Sequence, residues 1–290
     1  KEVTNDVFRD LKKPQPMLRL LQGDVGSGKT VCAMIAMFAV ATAHQQVAFM
    51  APTELLAYQH YQTFKPFFEA FNVALVYLSS SVKGAGRRLI LSQIETNKAA
   101  IIIGTHSLIQ EAITYAALSF VVIDEQHRFG VEQRKALRLK GLTPDVLLMS
   151  ATPIPRTLSM VLFGDMDIST ISELPKGRIP IETHLRDMAY LPKLKAKLMA
   201  VIAEKHQAYL IVPAIEESKN ASLITVNALY STVKEWVGES NVEMLHGKMK
   251  SDEKTNRLMR FADNDFSILV APSVVEVGIT LPCPVLVIWL

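Results

Sequence analysis

Eight consecutive residues, Gly23-Asp24-Val25-Gly26-Ser27-Gly28-Lys29-Thr30, carry the spacing G-x-x-x-x-G-K-T. Glycines so placed let several backbone N–H groups converge on one anion. The Lys29 ammonium can then reach the outer phosphates of a nucleoside triphosphate, and the Thr30 hydroxyl can ligate Mg²⁺. Well downstream, the apolar run Ser119-Phe120-Val121-Val122-Ile123 delivers Asp124-Glu125-Gln126-His127. Paired carboxylates at a strand end suit nucleotide hydrolysis: Asp124 is expected to hold Mg²⁺, directly or through water, and Glu125 to polarise the attacking water. His127 is equally suited to packing and to coupling. Ser150 and Thr152 are placed to hydrogen-bond those acids and sense the γ-phosphate, a role compatible with capping a helix that begins near Pro155.

This chemistry requires the glycine-rich loop to lie between a strand and a helix. Met17–Leu21 reads as a buried strand and Lys29–Ala43 as a helix, which puts the bound anion at a helix N-terminus. The same alternation continues. Strands are expected at Gln46–Ala51, Val73–Leu78, Ala99–Gly104, Ser119–Ile123, Asp145–Met149 and Asp167–Ile171. Helices are expected near Lys1–Lys13, ended by Pro14 and Pro16, from Glu54 to Ala70 with Thr53 as N-cap, and over Lys83–Asn97. Strands alternating with helices of this length imply a parallel α/β sheet with right-handed crossovers, its ligands beyond the carboxyl ends of the strands. The phosphate loop, Pro52-Thr53 and Gly104-Thr105-His106 then share one edge.

The stretch Pro175-Lys176-Gly177-Arg178-Ile179-Pro180 has the proline and glycine density of a linker. Beyond it the pattern restarts: strand Glu182–Leu185, helix Pro192–Lys205, strand Ala208–Pro213, helix Ala221–Trp236, strand Val242–Leu245, helix Ser251–Phe261 and strand Phe266–Ala271. Val285–Leu290 reads as a final buried strand, and since domains rarely end inside a sheet, a fragment is expected. The second half has no phosphate loop and is expected to complete the first half's site across a cleft.

At 290 residues the chain can build two domains, each with its own core. With 49% hydrophobic and 20% charged residues, the composition is that of a globular α/β protein. No apolar run approaches the roughly 20 residues that span a bilayer, and no signal peptide is legible, so no membrane partner and a cytoplasmic location are expected. Cys32 and Cys283 make neither a disulfide framework nor a zinc site. The net charge of +3 is too small to identify a polyanionic partner. The clusters Lys83-Gly84-Ala85-Gly86-Arg87-Arg88 and Arg134-Lys135-Ala136-Leu137-Arg138 read as solvated helix faces.

The blocks Gly23–Thr30, Ala51-Pro52-Thr53-Glu54, Gly104-Thr105-His106, Asp124-Glu125-Gln126-His127-Arg128-Phe129-Gly130 and Ser150-Ala151-Thr152-Pro153-Ile154-Pro155-Arg156-Thr157 resemble, in order, the motifs of superfamily-two helicases. In wording they are similar to the bacterial branch-migration translocases. Gly164-Asp165-Met166-Asp167, Glu173-Leu174-Pro175-Lys176-Gly177-Arg178, Ile215-Glu216-Glu217-Ser218, Leu245-His246-Gly247-Lys248-Met249-Lys250 and Val275-Glu276-Val277-Gly278 extend the likeness over nearly the whole chain. The resemblance implies two RecA-like P-loop NTPase domains in tandem: an ATP-binding domain at 1–176, a linker at 177–184 and an incomplete C-terminal domain at 185–290. It further implies ATP and Mg²⁺ as cofactors, branched, fork or junction DNA as the partner, and a monomer. Pro52, Thr53, Gly104, Thr105, His106, His246 and Gly247 would lie near the sugar-phosphate backbone, and His127, Ser150, Thr152 and Gly278 would couple the sites. The family's wedge domain, its glutamine motif and its final arginine motif would fall outside these residues. Thr280, Pro272 and Trp289 stand where the family usually has aspartate, threonine and an acidic residue. Two other expectations are a nucleotide- and DNA-binding module with little turnover, and a relative of the transcription-repair coupling translocases, which typically read D-E-E-H at Asp124–His127.

Overall fold

The structure, a computed structural model, describes residues 2–79, 82–109, 113–124, 143–151, 166–173, 182–185, 190–212, 225–246, 249, 251–272 and 285–289. The chain divides into two compact units, Lys1–Pro180 and Ile181–Leu290.

In the first unit the strands are β1 (Leu18–Gly23), β2 (Gln46–Met50), β3 (Leu75–Leu78), β4 (Ile101–Gly104), β5 (Leu118–Ile123), β6 (Asp145–Ser150) and β7 (Asp167–Ile171). They form one sheet in the order β3-β4-β2-β5-β6-β1-β7, with every pairing parallel. Parallel strands need crossovers that cover both sheet faces, so their residues are apolar without interruption rather than alternately polar. Alternate side chains still go to opposite faces. Leu21, Val47, Phe49, Ile101, Ile103, Phe120, Val122, Leu147 and Met149 join one core, and Leu20, Ala48, Met50, Ile102, Val121, Ile123, Val146 and Leu148 join the other.

The first core is closed by α1 (Glu2–Asp10), α2 (Lys29–Thr42) and α3 (Glu54–Ala70). Helix α2 is apolar almost all round, and Ala33, Ala36, Met37 and Ala41 at helical spacing are buried, the small ones admitting close approach to the sheet. Thr53 caps α3, its hydroxyl accepting from the Leu56 N–H at 3.3 Å. Such a cap is worth about 1 kcal/mol. Phe64 and Phe68, fully buried one turn apart on α3, anchor it to Phe49 of β2. Helix α4 (Gly84–Glu95) supplies Ile94 to the second core.

In the second unit, strands β8 (Gln207–Val212), β9 (Val242–Met244), β10 (Ile268–Pro272) and β11 (Val285–Trp289) pair in parallel in the order β11-β8-β10-β9. One face packs on α5 (Leu191–Ala203) through Leu194, Leu198 and Val201 and on α6 (Val226–Val237) through Val226, Leu229, Val233 and Val237. Phe261 of α7 (Ser251–Ala262) packs edge-on against Tyr209 of β8 with ring centroids 5.0 Å apart. Pro272 is the last residue of β10, at the strand end, where its missing N–H interrupts the ladder least.

Two expectations are corrected. Residues 182–185 form no strand: Glu182, Thr183, His184 and Leu185 are all exposed, Leu185 to 94%, with no neighbouring strand among the described residues to pair with. The helix expected from Ala221 begins at Val226, because the Thr225 hydroxyl accepts from the Ala228 N–H at 3.2 Å and so caps it. Among the described residues no helix is long and apolar enough to cross a membrane.

Candidate nucleotide site

Register locates the site. Leu78, Gly104, Met50, Ile123, Leu148 and Leu20 stand level across β3, β4, β2, β5, β6 and β1. Since all these strands are parallel, each chain leaves the sheet just beyond that line and on the same edge. Thr105, Pro52, Asp124, Ser150 and the loop after Gly23 are the residues it meets there. The sheet therefore brings the expected motifs of the first unit to one edge, with β6 between the strand carrying Asp124 and the strand entering the phosphate loop. Two strand spacings separate them, about 10 Å.

The loop from Asp24 to Gly28 has the geometry of an anion cradle. Gly28 is the N-cap of α2 and is left-handed at φ 97°, a conformation that disfavours any residue with a Cβ. The turn is closed by the Ser27 N–H to the Asp24 carbonyl at 3.1 Å and by the Val25 N–H to Asp24 Oδ1 at 2.7 Å. Helix bonding starts at the Cys32 N–H to the Gly28 carbonyl, 3.1 Å, so the N–H groups of the preceding turn have no helical acceptor and carry the positive end of the helix dipole. Lys29 is buried and curls over the loop, its Nζ donating to the carbonyls of Gly23 at 2.7 Å and Asp24 at 2.9 Å. A Cβ on Gly23 would stand 2.7 Å from Ser27 Oγ, filling the cradle from below. Ser27 Oγ is buried without a hydrogen-bond partner among the described residues. An orphan hydroxyl, a left-handed glycine and a lysine beside it are the donor set that a di- or triphosphate requires.

Asp124 follows β5, its N–H bonded to the Met50 carbonyl at 2.8 Å. Its Oδ2 lies 2.8 Å from Nε2 of His60 on α3, and each of the two side chains is only 16% exposed. Among the described residues no group of three or more His, Cys, Asp or Glu could hold a metal alone. A hard cation at this edge would therefore draw on Asp124, the Thr30 hydroxyl, phosphate oxygens and water, the usual coordination of Mg²⁺ with nucleotides.

The remaining expected residues are placed as follows. Ser150 ends β6 and is buried. Thr53 spends its hydroxyl on the α3 cap. Gly104 has a packing reason for being glycine: a Cβ would lie 2.4 Å from the Leu78 carbonyl. Thr105 is buried, its hydroxyl 3.2 Å from Ser107 Oγ, and His106 opens the 3-10 turn His106–Ile109. His246 follows β9 in the second unit, with Nδ1 buried and unpartnered among the described residues. Glu125, His127, Thr152, Gly247, Gly278 and Thr280 lie outside the described residues.

Sequence reasoning missed His60. A signal existed: Leu56, His60, Phe64 and Phe68 recur every fourth residue along α3, so the histidine interrupts an otherwise buried apolar ladder.

With this geometry in view, two family models match the chain: "DEAD/DEAH box helicase" over residues 2–161 and "Helicase conserved C-terminal domain" over residues 193–290. The chain is 46% identical over 284 residues to the ATP-dependent DNA helicase RecG of Staphylococcus aureus (strain NCTC 8325 / PS 47), covering 97% of this chain and 41% of that protein. It is 47% identical over 278 residues to RecG of Streptococcus pneumoniae serotype 4, covering 96% and 41%. The chain thus spans about two fifths of the length of these relatives. Among solved structures it is similar to RecG bound to a three-way DNA junction, with a TM-score of 0.80 and 34% identity, covering 97% of this chain and 37% of that one. Saccharomyces cerevisiae Dbp5 bound to RNA and ADP BeF3 shares the fold, with a TM-score of 0.67 at 17% identity over 99% of this chain and 73% of that one. With the first model matching more than half of the chain and the second most of the remainder, this chain belongs to the DEAD/DEAH box helicases.

Proposed function

We propose that this chain is the motor segment of an ATP-dependent DNA helicase that remodels branched DNA, acting in the cytoplasm as a monomer. The observation that carries the ATP half of this reading is the common sheet edge shared by the Gly23–Thr30 loop and Asp124. The DNA half rests on likeness to the RecG relatives and to RecG bound to a three-way junction.

In this reading the loop N–H groups and Lys29 bind and orient the β- and γ-phosphates, and Thr30 and Asp124 hold Mg²⁺. The ion supplies charge neutralisation for the transferring phosphoryl group. Glu125 orients the attacking water and takes its proton. Ser150 and Thr152 report the state of the phosphates, with His127 and Gly278 as coupling positions. Pro52-Thr53 and Gly104-Thr105-His106, on the same edge of the sheet, and His246-Gly247 contact the sugar-phosphate backbone, a grip without sequence preference. The division proposed is an ATP-binding domain at 1–176, a linker at 177–184 and a C-terminal domain at 185–290.

The test is ATP turnover by the full-length protein with and without three-way junction DNA, alongside binding of a fluorescent ATP analogue. Turnover stimulated by the junction, with Lys29→Ala losing binding and Glu125→Gln retaining binding but not turnover, is the expected result. Nucleotide binding without any turnover in the wild type would overturn the enzyme reading, and equal loss of binding in both variants would overturn the division of roles.

A further inference from the structure

The strand β2, the turn Ala51-Pro52-Thr53 and the first two turns of α3 touch Asp124 twice. At one end the Met50 carbonyl accepts the Asp124 N–H at 2.8 Å; at the other, ten residues on, His60 Nε2 meets Asp124 Oδ2 at 2.8 Å. A carboxylate only accepts, so the imidazole presents Nε2 with its proton toward the acid.

The ring itself cannot swing freely. Phe49 lies against it with centroids 4.7 Å apart, and Phe64, one turn along α3, lies 5.4 Å away. Phe64 is fully buried and packs edge-on against Phe49 at 5.1 Å, so the clamp on the imidazole is part of the first core. A helix otherwise apolar along this ladder thus carries one nitrogen donor, packed against two aromatic rings that also touch each other and aimed at the acid expected to hold the metal.

We propose that His60 is the positioning residue of Asp124: it fixes the plane in which the carboxylate presents its lone pairs to Mg²⁺, and it ties that plane to the turn at Pro52-Thr53 at the start of its own helix. The proposal rests on the nucleotide-site reading and adds to it a residue and a connection. Partners that hold a metal-binding carboxylate or imidazole typically change metal affinity 10–100-fold when removed, without touching the ion. Because β2, the turn and α3 are continuous, a backbone shift at the turn when nucleic acid binds there reaches Asp124 through both contacts. His60 is therefore a route by which DNA alters hydrolysis.

Two substitutions separate the hydrogen bond from the packing. His60→Phe keeps a ring against Phe49 and Phe64 but removes the N–H. His60→Gln removes the ring but places an amide N–H near the position of Nε2. The measurement is the Mg²⁺ concentration at half-saturation for binding a fluorescent ATP analogue to the full-length protein, a readout independent of turnover. It is followed by the fold stimulation of ATPase by a three-way junction.

For His60→Phe the half-saturating Mg²⁺ is expected to rise by roughly tenfold and the DNA stimulation to fall. For His60→Gln both are expected to stay nearer the wild type. A His60→Phe protein within twofold of wild type in Mg²⁺ dependence overturns the positioning role. Equal loss in the two variants also overturns it, since the ring and not the N–H would then matter. A raised Mg²⁺ requirement with unchanged DNA stimulation overturns the link to the turn. Absence of Mg²⁺-dependent nucleotide binding in the wild type overturns the nucleotide-site reading itself, a result distinct from all of these.

Discussion

The two edges of the seven-stranded sheet are both rich in buried polar side chains, and they use them in opposite ways. At the amino edge most of them are paired within the chain. Gln46, at the start of β2 and fully buried, donates through Nε2 to the carbonyls of Ile94 at 2.8 Å and Ala99 at 3.0 Å and accepts from the Ala117 N–H at 3.0 Å. Arg19 of β1 binds Asp10 of α1 at 2.6 Å and donates to Ser169 of β7 at 2.8 Å, and Ser169 in turn reaches Asp6 at 3.0 Å. Asp145, opening β6, accepts the Met17 N–H at 2.6 Å. At the carboxyl edge Ser27 Oγ lacks a partner among the described residues, Gly28 is left-handed, and Lys29 leans on carbonyls of its own loop. Polar atoms paired within the chain hold the fold, while a buried hydroxyl without a partner among the described residues, beside a left-handed glycine, is placed to receive a ligand.

The sharpest way to break this contrast is to remove one side chain from each edge. Lys29→Ala is expected to cut ATP turnover by a hundredfold or more, about what loss of one charge-stabilising donor costs, while shifting the thermal midpoint little. Gln46→Leu should do the reverse. It strands the Ala99 carbonyl and the Ala117 N–H, while the Ile94 carbonyl keeps the Asn97 N–H, a loss of about 2 kcal/mol or more in chemical denaturation, and leaves the nucleotide affinity of the folded fraction intact. A Gln46→Leu protein with wild-type stability and impaired nucleotide binding would collapse the distinction.

Gly104 tests whether every carboxyl-edge residue belongs to the ligand. It was expected beside nucleic acid, yet a Cβ there would stand 2.4 Å from the Leu78 carbonyl of β3. Gly104→Ala is therefore expected to destabilise by about 1–3 kcal/mol as β3 is pushed outward. A change in DNA binding without a change in unfolding midpoint would return Gly104 to the interface.

What was legible in the sequence follows the same division. Local and periodic signals came through: the loop between β1 and α2, the alternation that makes a parallel sheet, the Thr53 cap. Glu182–Leu185 misled because a short run with one apolar residue needs a neighbouring strand, and no such neighbour is written locally. The start of α6 differs from the expected one because Thr225 is extended and its hydroxyl takes the Ala228 N–H, a contact that apolar periodicity does not signal. His60 and Gln46 were invisible for a third reason: their partners, Asp124 and the carbonyls of Ile94 and Ala99, are 64, 48 and 53 residues away, and only the fold brings them together. A gap in an apolar ladder marks such a residue but does not name what it meets.

The smallest expected effect sharpens the account of the amino edge, where two carboxylates titrate with opposite signs. Burial pushes Asp10 up, but hydrogen bonds from Lys13 and Arg19 and their charges outweigh it, so its folded pKa lies below the ordinary 3.8. Its contribution to stability is complete above the unfolded value and is lost as pH falls through the lowered folded one. Burial raises Asp145 above 3.8, helped by the nearby charge of Asp10 and opposed by the Met17 N–H. Its ionised form is therefore a liability at neutral pH that disappears as pH falls through the raised value. Asp145→Asn keeps a carbonyl oxygen for the Met17 N–H and deletes the charge. It is expected to stabilise the protein at pH 7 by less than about 1 kcal/mol, solvent screening keeping the gain small at a partly exposed group. Denaturation midpoints measured from pH 7 down to the acid range should show that gain shrinking as the wild-type carboxyl takes up its proton. A gain that is the same at every pH would mean that the charge of Asp145 carries no penalty and that the amino edge is satisfied even there.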